Sequence, residues 1–274
     1  IEAEFAGDII KTNDLTWSAR LNLTHYKNKI TKLPKERRTM VCSGVEGFSN
    51  GMYFYGEGES MYTFMLPKYA GVSEDGQSMW YMDKEDAEGN ITRVATTDYS
   101  NATMYLCGTS LPDVYGGFGT SFEYKGFDVS IDFAYQIGGQ VYDSDYASSM
   151  SSPTSSSRGG KFHADLLKAW SVDNKSSNIP RFQYGDDYSA ASSDRWLTDA
   201  SYLSIQNINA GYTFSGAACR KLGLDNLRVY VSCDNVWVWS QRQGLDPRQS
   251  VTGGASTSLY APIRTISGGL TVTF

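Results

Sequence analysis

The chain has 274 residues, a formal net charge of −6 and 14% aromatic residues, with 19 Tyr among them. That charge argues against nucleic acid as a partner, because phosphate binding needs a strongly basic patch. No run of about 18 apolar residues occurs, which excludes a transmembrane helix; strands that alternate apolar and polar residues would escape that test.

In chain order, Ile1, Ala3 and Phe5 alternate with Glu2 and Glu4, predicting a strand near 1–10. A polar turn, Lys11 to Asp14, follows. Leu15, Trp17, Ala19, Leu21 and Leu23 then alternate with Thr16, Ser18, Arg20 and Asn22, a second strand near 15–26. From 27 to 117 the alternation breaks up. This stretch opens with Lys27, Lys29, Lys32, Lys35, Arg37 and Arg38 and continues through glycine-rich and aromatic patches. A connection of that length is functional or separately folded.

Phe118 to Gln136 restores the period of two. Phe118, Thr120, Phe122 and Tyr124 share one face, and after Lys125-Gly126 so do Phe127, Val129, Ile131, Phe133 and Tyr135. Two strands, 118–124 and 127–136, joined by a two-residue turn are expected, with glycine supplying the positive φ. One face is aromatic and the other acidic or small.

A second long connection, 137–200, holds a serine-rich run, 148–160, that reads as mobile. Phe162, Leu166, Leu167 and Trp170 recur in it at helical spacing and predict a short amphipathic helix. Strand 202–214 changes phase at Gln206-Asn207, where a β-bulge would restore a single apolar face. Strand 227–236 follows a compact connection, and a third long connection, 237–262, leads to strand 264–274. The strand count is seven, and the connections alternate between short and long. Short turns at one end and long loops at the other is the asymmetry of outer-membrane barrels, and a soluble sandwich has no reason to sort its loops. Seven strands are too few to close a membrane barrel, and an open edge in lipid costs several kcal/mol per unpaired backbone group. A start at Ile1, already inside an alternating pattern, reads as a piece of a longer chain.

Several ordered segments resemble one family. They are MYTFMLPKYAGVSEDGQSMWY, LPDVYGGFGTSFEYKGFDVSIDFAYQIGGQVYD, NIPRFQYGD, DRWLTDASYLSIQNINAGYTF, NLRVYVSCDNVWVW, GLDPRQS and the closing APIRTISGGLTVTF. Together they resemble SusC-like TonB-dependent transporters of Bacteroidota, the SusC/RagA family, over nearly the whole chain. The resemblance implies an all-β fold in which 1–274 supplies the last seven antiparallel strands of a 22-stranded transmembrane barrel with a plugged lumen. Long extracellular loops would be 27–117, 137–200 and 237–262, and Phe274 would be the C-terminal assembly signal. It also implies import of oligosaccharides or peptides beneath a SusD-like surface lipoprotein, driven by TonB–ExbB–ExbD acting on a plug. The plug and the N-terminal remainder of the barrel lie outside these residues.

On this reading Trp17, Phe122, Val129, Ile131, Phe133 and Val272 face lipid. Loop aromatics Trp80, Tyr81, Tyr142, Tyr146, Trp170 and Tyr184 are candidates to stack on a ligand or meet the lid, set against ordinary loop packing. The cations from Lys27 to Arg38 suit lipopolysaccharide phosphates or, more plainly, a solvated loop. Glu123 and Asp128 should face each other across the hairpin at about 5 Å. That separation suits a retaining glycosidase, but a polar lumen wall bridged by an arginine of the plug is the better reading. Cys42, Cys107, Cys219 and Cys233 are expected as free thiols, with a Cys42–Cys107 pair as the alternative. His25 and His163 have no ligand pattern around them, so no metal, cofactor or catalytic residue is assigned. Two rivals are weighed. A soluble carbohydrate-binding β-sandwich predicts a second sheet over Phe122, Val129 and Phe133. An autonomous porin or adhesin barrel predicts closure by this chain alone.

Overall fold

The computed structural model describes residues 1–154, 160–255 and 262–274. Seven strands form one antiparallel sheet in strict chain order: β1 Glu2–Lys11, β2 Leu15–Thr24, β3 Val114–Tyr124, β4 Phe127–Ile137, β5 Tyr202–Ser215, β6 Asn226–Ser240 and β7 Thr265–Thr273. These are the seven strands expected from the alternation, with two ends corrected. β3 begins earlier than 118, because Gly116 and Gly117 carry no side chain to display the period. β6 runs past 236 and carries Trp237 and Trp239 onward from an irregularity at Asn235, where φ is +50°. The long connections are accordingly 25–113, 138–201 and 241–264.

The sequence chemistry explains the register. Lys125 and Gly126 have φ of +48° and +87°, the two positive values that a type I′ hairpin turn requires. Asp132 pairs with Asn207 and Phe133 with Ile205, which leaves Gln206 as the extra residue of a bulge at the predicted place. Beyond it, Ile205 and Ile208 fall on one face despite their opposite parity. Trp17, Phe122, Val129, Ala210 and Val231 thus form one row across β2 to β6.

That apolar face stays open. Trp17 is 38%, Phe122 40% and Val272 41% exposed, and Val129, Ile131 and Phe133 are only half-buried, among neighbours of their own sheet. Among the described residues no second sheet covers this face, against the sandwich reading. Among the described residues β1 and β7 each pair on one side only, so these seven strands do not close on themselves.

The packed core lies elsewhere. Among the described residues, every buried apolar side chain belongs to a connection and none to β1–β7. The first connection folds into a five-stranded sheet, ordered Met104–Thr109, Thr63–Pro67, Tyr53–Gly56, Val45–Asn50, Met40–Cys42, and a three-stranded sheet of Tyr69–Val72, Ser78–Glu85 and Ile91–Thr96. Phe64 and Leu66 from this connection pack with Tyr142, Ala147, Met150 and Trp196 from the second. Gln140–Asp143 pairs with Leu197–Asp199 and, in parallel, with Gly254–Ala255 of the third. The three connections therefore form one cap at one end of the sheet.

Two expectations for the second connection are corrected. The 162–170 segment is no amphipathic α-helix but a 3-10 turn, Ala164–Lys168; Leu166 faces the core while Leu167 is fully exposed. Three residues per turn cannot keep both leucines on one face. Within its described part, 148–154, the serine-rich run is packed into the cap. Met150 is buried at the end of the helix Ser144–Ser149, and the Ser152 amide donates to Ser189 Oγ. The rest of that run, 155–159, lies outside the described residues.

Candidate functional site

The polar face of the sheet is built from residues of opposite parity to the aromatic row. Arg20 on β2, Gly119 on β3 and Asp132 on β4 are directly in register. Strands lie ~4.8 Å apart, so an ion pair between β2 and β4 must bridge ~10 Å of backbone across an intervening residue. Glycine makes that possible: Arg20 Nη2 reaches Asp132 Oδ1 at 2.5 Å, and a Cβ on Gly119 would stand 2.4 Å from that same oxygen. The pattern recurs on the next strands. Arg228 on β6 makes a bidentate pair with Asp128 on β4, Nε–Oδ1 3.0 Å and Nη2–Oδ2 2.5 Å, and donates to Asn209 Oδ1 at 2.9 Å. It passes Gly211 of β5, where a Cβ would lie 2.6 Å from Nη2.

Glu123 faces Asp128 across the hairpin as expected. The arginine on Asp128, however, is Arg228 of this chain, where one from a plug was expected. Asp128 is engaged through both oxygens, and among the described residues Glu123 takes no ion pair. An acid–nucleophile couple needs both carboxylates free to act on one substrate. A cavity of about 560 Å³ follows this wall, lined by Asp8, Ser18, Arg20, Ser121, Ser130 and Asp132 among others. Such a surface offers polar contact to something filling the space beside it, with no reactive group set apart.

In the cap, the candidate aromatics separate by burial. Trp80 is 1% exposed, its ring edge-on to Tyr99 at 4.9 Å. Tyr142 is also buried, with its hydroxyl on Ser192 Oγ. Both are corrected from ligand-stacking candidates to core residues, since neither ring face is open. Tyr81 is half-buried beside Arg93. Tyr146 lies half-buried between His163 and Trp196 under the Arg242 guanidinium, and its hydroxyl donates to Asp165. Trp170 packs on the turn at Gly76. Only Tyr184 of the six is exposed, at 58%. Sequence reasoning passed over Phe182 and Tyr188, and placed Phe162 in an amphipathic helix; all three are exposed. Nothing in their local sequence distinguishes them, because exposure here depends on contacts distant in the chain.

Burial also sets the cap's electrostatics. Asp194 accepts the Tyr69 amide at 2.8 Å, and its burial pushes the carboxyl above the usual carboxylate range. Neighbouring Arg195, between the rings of Tyr69 and Trp196, is lowered by burial. Burial pushes Asp246 up as well, but the hydrogen bonds of Arg248 outweigh it and leave that carboxyl low. His163 is not without a carboxylate, as expected, but stands 3.3 Å from Asp165. Asp165 is shared with Tyr146 and Lys168, which makes this a structural cluster.

All four cysteines are free. Cys42 packs with Phe54, Met65 and Leu106, whereas Cys107 packs with the cluster of Phe64 and Leu66. Alternate residues of a strand point to opposite faces, so these two thiols are on opposite sides of the five-stranded sheet. Burial pushes the Cys107 thiol up to about 11. Arg38 is tied to Glu46 and Glu57, while Lys27, Lys29, Lys32, Lys35 and Arg37 are exposed without ion pairs among the described residues. Among the described residues no three His, Cys, Asp or Glu side chains are grouped to hold a metal ion.

The arrangement matches known proteins. TonB-dependent receptor P3 of Formosa agariphila is 26% identical over 97% of this chain and 27% of its own length. TonB-dependent receptor SusC of Bacteroides thetaiotaomicron is 25% identical over 97% of this chain and 25% of its own length. The chain thus spans about a quarter of the length of the curated relatives it matches. Among solved structures, that of the RagAB peptide transporter superposes on the whole chain with a TM-score of 0.78 at 23% identity, over 29% of its own chain. The fold expected from the resemblance, all-β with the seven strands of such a barrel, is the fold observed. No family model matches the chain.

Proposed function

We propose that residues 1–274 are the C-terminal part of the transmembrane barrel of a TonB-dependent outer-membrane importer. Its cargo is an oligosaccharide or peptide, taken up with a SusD-like surface lipoprotein as lid and energy from TonB–ExbB–ExbD through a plug in the remainder of the protein. The single observation that carries this is the division of the sheet into two unlike faces. One is a largely apolar surface holding Trp17, Phe122, Val129, Ile131, Phe133 and Val272, with no other element packed on it among the described residues; the other is polar and carries the ion pairs Arg20–Asp132 and Arg228–Asp128. Water on the first face would leave a large aromatic surface unburied, and lipid removes that cost. The free edges of β1 and β7 require pairing with further strands in such a setting. The three long connections are then extracellular, and the open residues from Lys27 to Arg37 lie where lipopolysaccharide phosphates would be.

The function is permeation without covalent chemistry. To test it, the full-length protein is fractionated from cells and its uptake measured with and without TonB. Detergent-dependent extraction from the outer membrane, co-purification of a lipoprotein and loss of uptake without TonB are expected. Recovery of the protein from the aqueous fraction overturns the reading.

A further inference from the structure

The polar wall changes character toward the cap. Four residues beyond the Arg20–Gly119–Asp132 row, about 13 Å, Thr24, Tyr115, Gln136 and Tyr202 stand in register on the same face. The row between, Asn22, Gly117 and Ala134, is uncharged as well. On β2, β3 and β4 this face is otherwise small, polar or charged, so Tyr115 is its one aromatic ring among the described residues.

At this level all three connections meet the wall around a cavity of about 220 Å³. Tyr26, Tyr115, Gln136, Pro112, Pro247 and Val251 line it with others, and none of the described residues in its lining is charged. At ~30 Å³ for each water it holds about seven, which is room for one ring of a cargo molecule and not for a chain of them.

The cavity is built before anything enters it. Ser110 Oγ donates to Val251 O at 2.9 Å, which holds the third connection against the first. Gly253, with φ of +78°, lets the two close up, because a Cβ there would lie 2.6 Å from that of Ser110. Gln136 Nε2 donates to Ala200 O at 3.2 Å and to Gly138 O at 3.4 Å, which orients the amide and leaves Oε1 as its acceptor. Tyr26 and Tyr115 meet edge to face, with ring centroids 6.1 Å apart. Unlike Trp80 and Tyr142, these two residues stay open, at 37% and 38% exposed.

Such a lining discriminates among ligands. A carboxylate or ammonium seated here would lose hydration with no counter-charge on the wall. An apolar side chain would fill the space but strip water from Gln136 and the phenol hydroxyls without replacing its hydrogen bonds. A neutral sugar ring meets both demands, since its C–H face covers an aromatic ring while its hydroxyls donate to Oε1 and pair with the phenols.

We infer that this cavity seats one neutral pyranose ring of the cargo, stacked on Tyr115, with Gln136 Oε1 and the Tyr26 hydroxyl as hydrogen-bond partners. That the sugar arrives as cargo rests on the importer reading, whose oligosaccharide or peptide is thereby narrowed to an uncharged glycan.

The test titrates the full-length protein in detergent, by calorimetry, with maltotriose, cellotriose, mannotriose and galactotriose, and with an acetylated, amidated Ala-Val-Ala peptide. At least one trisaccharide is expected to bind, and the peptide is not. For that trisaccharide Tyr115→Ala should weaken binding about tenfold or more, while Tyr115→Phe keeps most of it. Gln136→Ala measures the site independently and should cost about three- to tenfold, the span of a lost neutral hydrogen bond. Leu167→Ala, exposed and outside the cavity, should change nothing. Unaltered heat-dependent gel mobility shows that each variant is folded. Failure of all four trisaccharides to bind, binding that is indifferent to Tyr115→Ala and Gln136→Ala, or binding of the peptide alone overturns the inference. If the protein is nonetheless embedded in the outer membrane and imports by TonB, the importer reading stands and this site alone is lost. A protein recovered from the aqueous fraction that still binds sugar through Tyr115 keeps the site and loses the importer.

Discussion

The sheet and its cap solve the burial problem in opposite ways. The cap hides its apolar side chains from everything, with Phe64, Trp196 and Met150 packed from two connections. β1–β7 bury no apolar side chain fully and expose an aromatic row on one side, ion pairs on the other. The cap carries its own oily interior, as a water-soluble domain does, and on the proposed reading the sheet would borrow one from the surrounding lipid. The same substitution should therefore have a different price in each region.

The largest contrast comes from truncating aromatics. Trp196→Ala in the full-length protein should cost the cap about 3–5 kcal/mol, since it empties the centre of the core. Limited proteolysis would show cutting within the connections while the heat-dependent gel mobility of the barrel stays as in the parent. Phe122→Ala, of similar chemistry, should leave both readouts nearly unmoved. Equal damage from the two would dissolve the distinction.

Next comes charge. Ile131→Arg on the open face should cost about 2–4 kcal/mol if that face is lipid at mid-membrane, whereas Ser130→Arg one residue away should be tolerated. Urea titration of the folded protein in lipid vesicles measures both, and equal cost for the pair removes the lipid assignment. A smaller effect, about 1–3 kcal/mol, is expected for Gly119→Leu, which forces a side chain into the space between Arg20 and Asp132. The same titration reads it, and Gly7→Leu, where an added Cβ meets nothing within 4 Å, serves as the control.

The smallest prediction concerns pH and the cap alone. The Asp246 carboxyl is lower in the folded protein than its ordinary 3.8. A lowered folded value means that the pair with Arg248 adds stability above pH 3.8, and that this contribution is lost as pH falls below it. Protease resistance of the third connection should be steady from pH 6 to about 4.5 and decline below about 3.8. Asp246→Asn should flatten that decline, and a decline that begins near neutrality would contradict the pairing.

The same division explains what could be read without coordinates. In the sheet each residue has one of two destinations, so the period of two survives in the letters, and even the bulge at Gln206 shows as a phase slip. It fails only where side chains are missing, at Gly116-Gly117, or where Asn235 disturbs the strand. The cap's strands are short and several are buried on both faces, such as Thr63–Pro67, so no alternation is left to see. Partners like Phe64 and Trp196 lie far apart in the chain, and no local signal links them. The polar wall falls in between. Arg20 and Asp132 were visible as polar-face residues, but their pairing required knowing that a glycine separates them.

That glycine has a consequence for assembly. The guanidinium of Arg20 closes over β3 without bonding to it, so the middle strand runs beneath a latch that its neighbours provide. Displacing β3 by two positions along its axis preserves the inside-outside parity, which makes it the cheapest error available to a hairpin during folding. One such displacement would bring Ser121 below the latch, and its side chain would hold the arginine and aspartate apart. The misplaced ribbon would then proceed with two separated charges on its inner wall, so the latch acts as an inspection step that passes one alignment and penalises that neighbour.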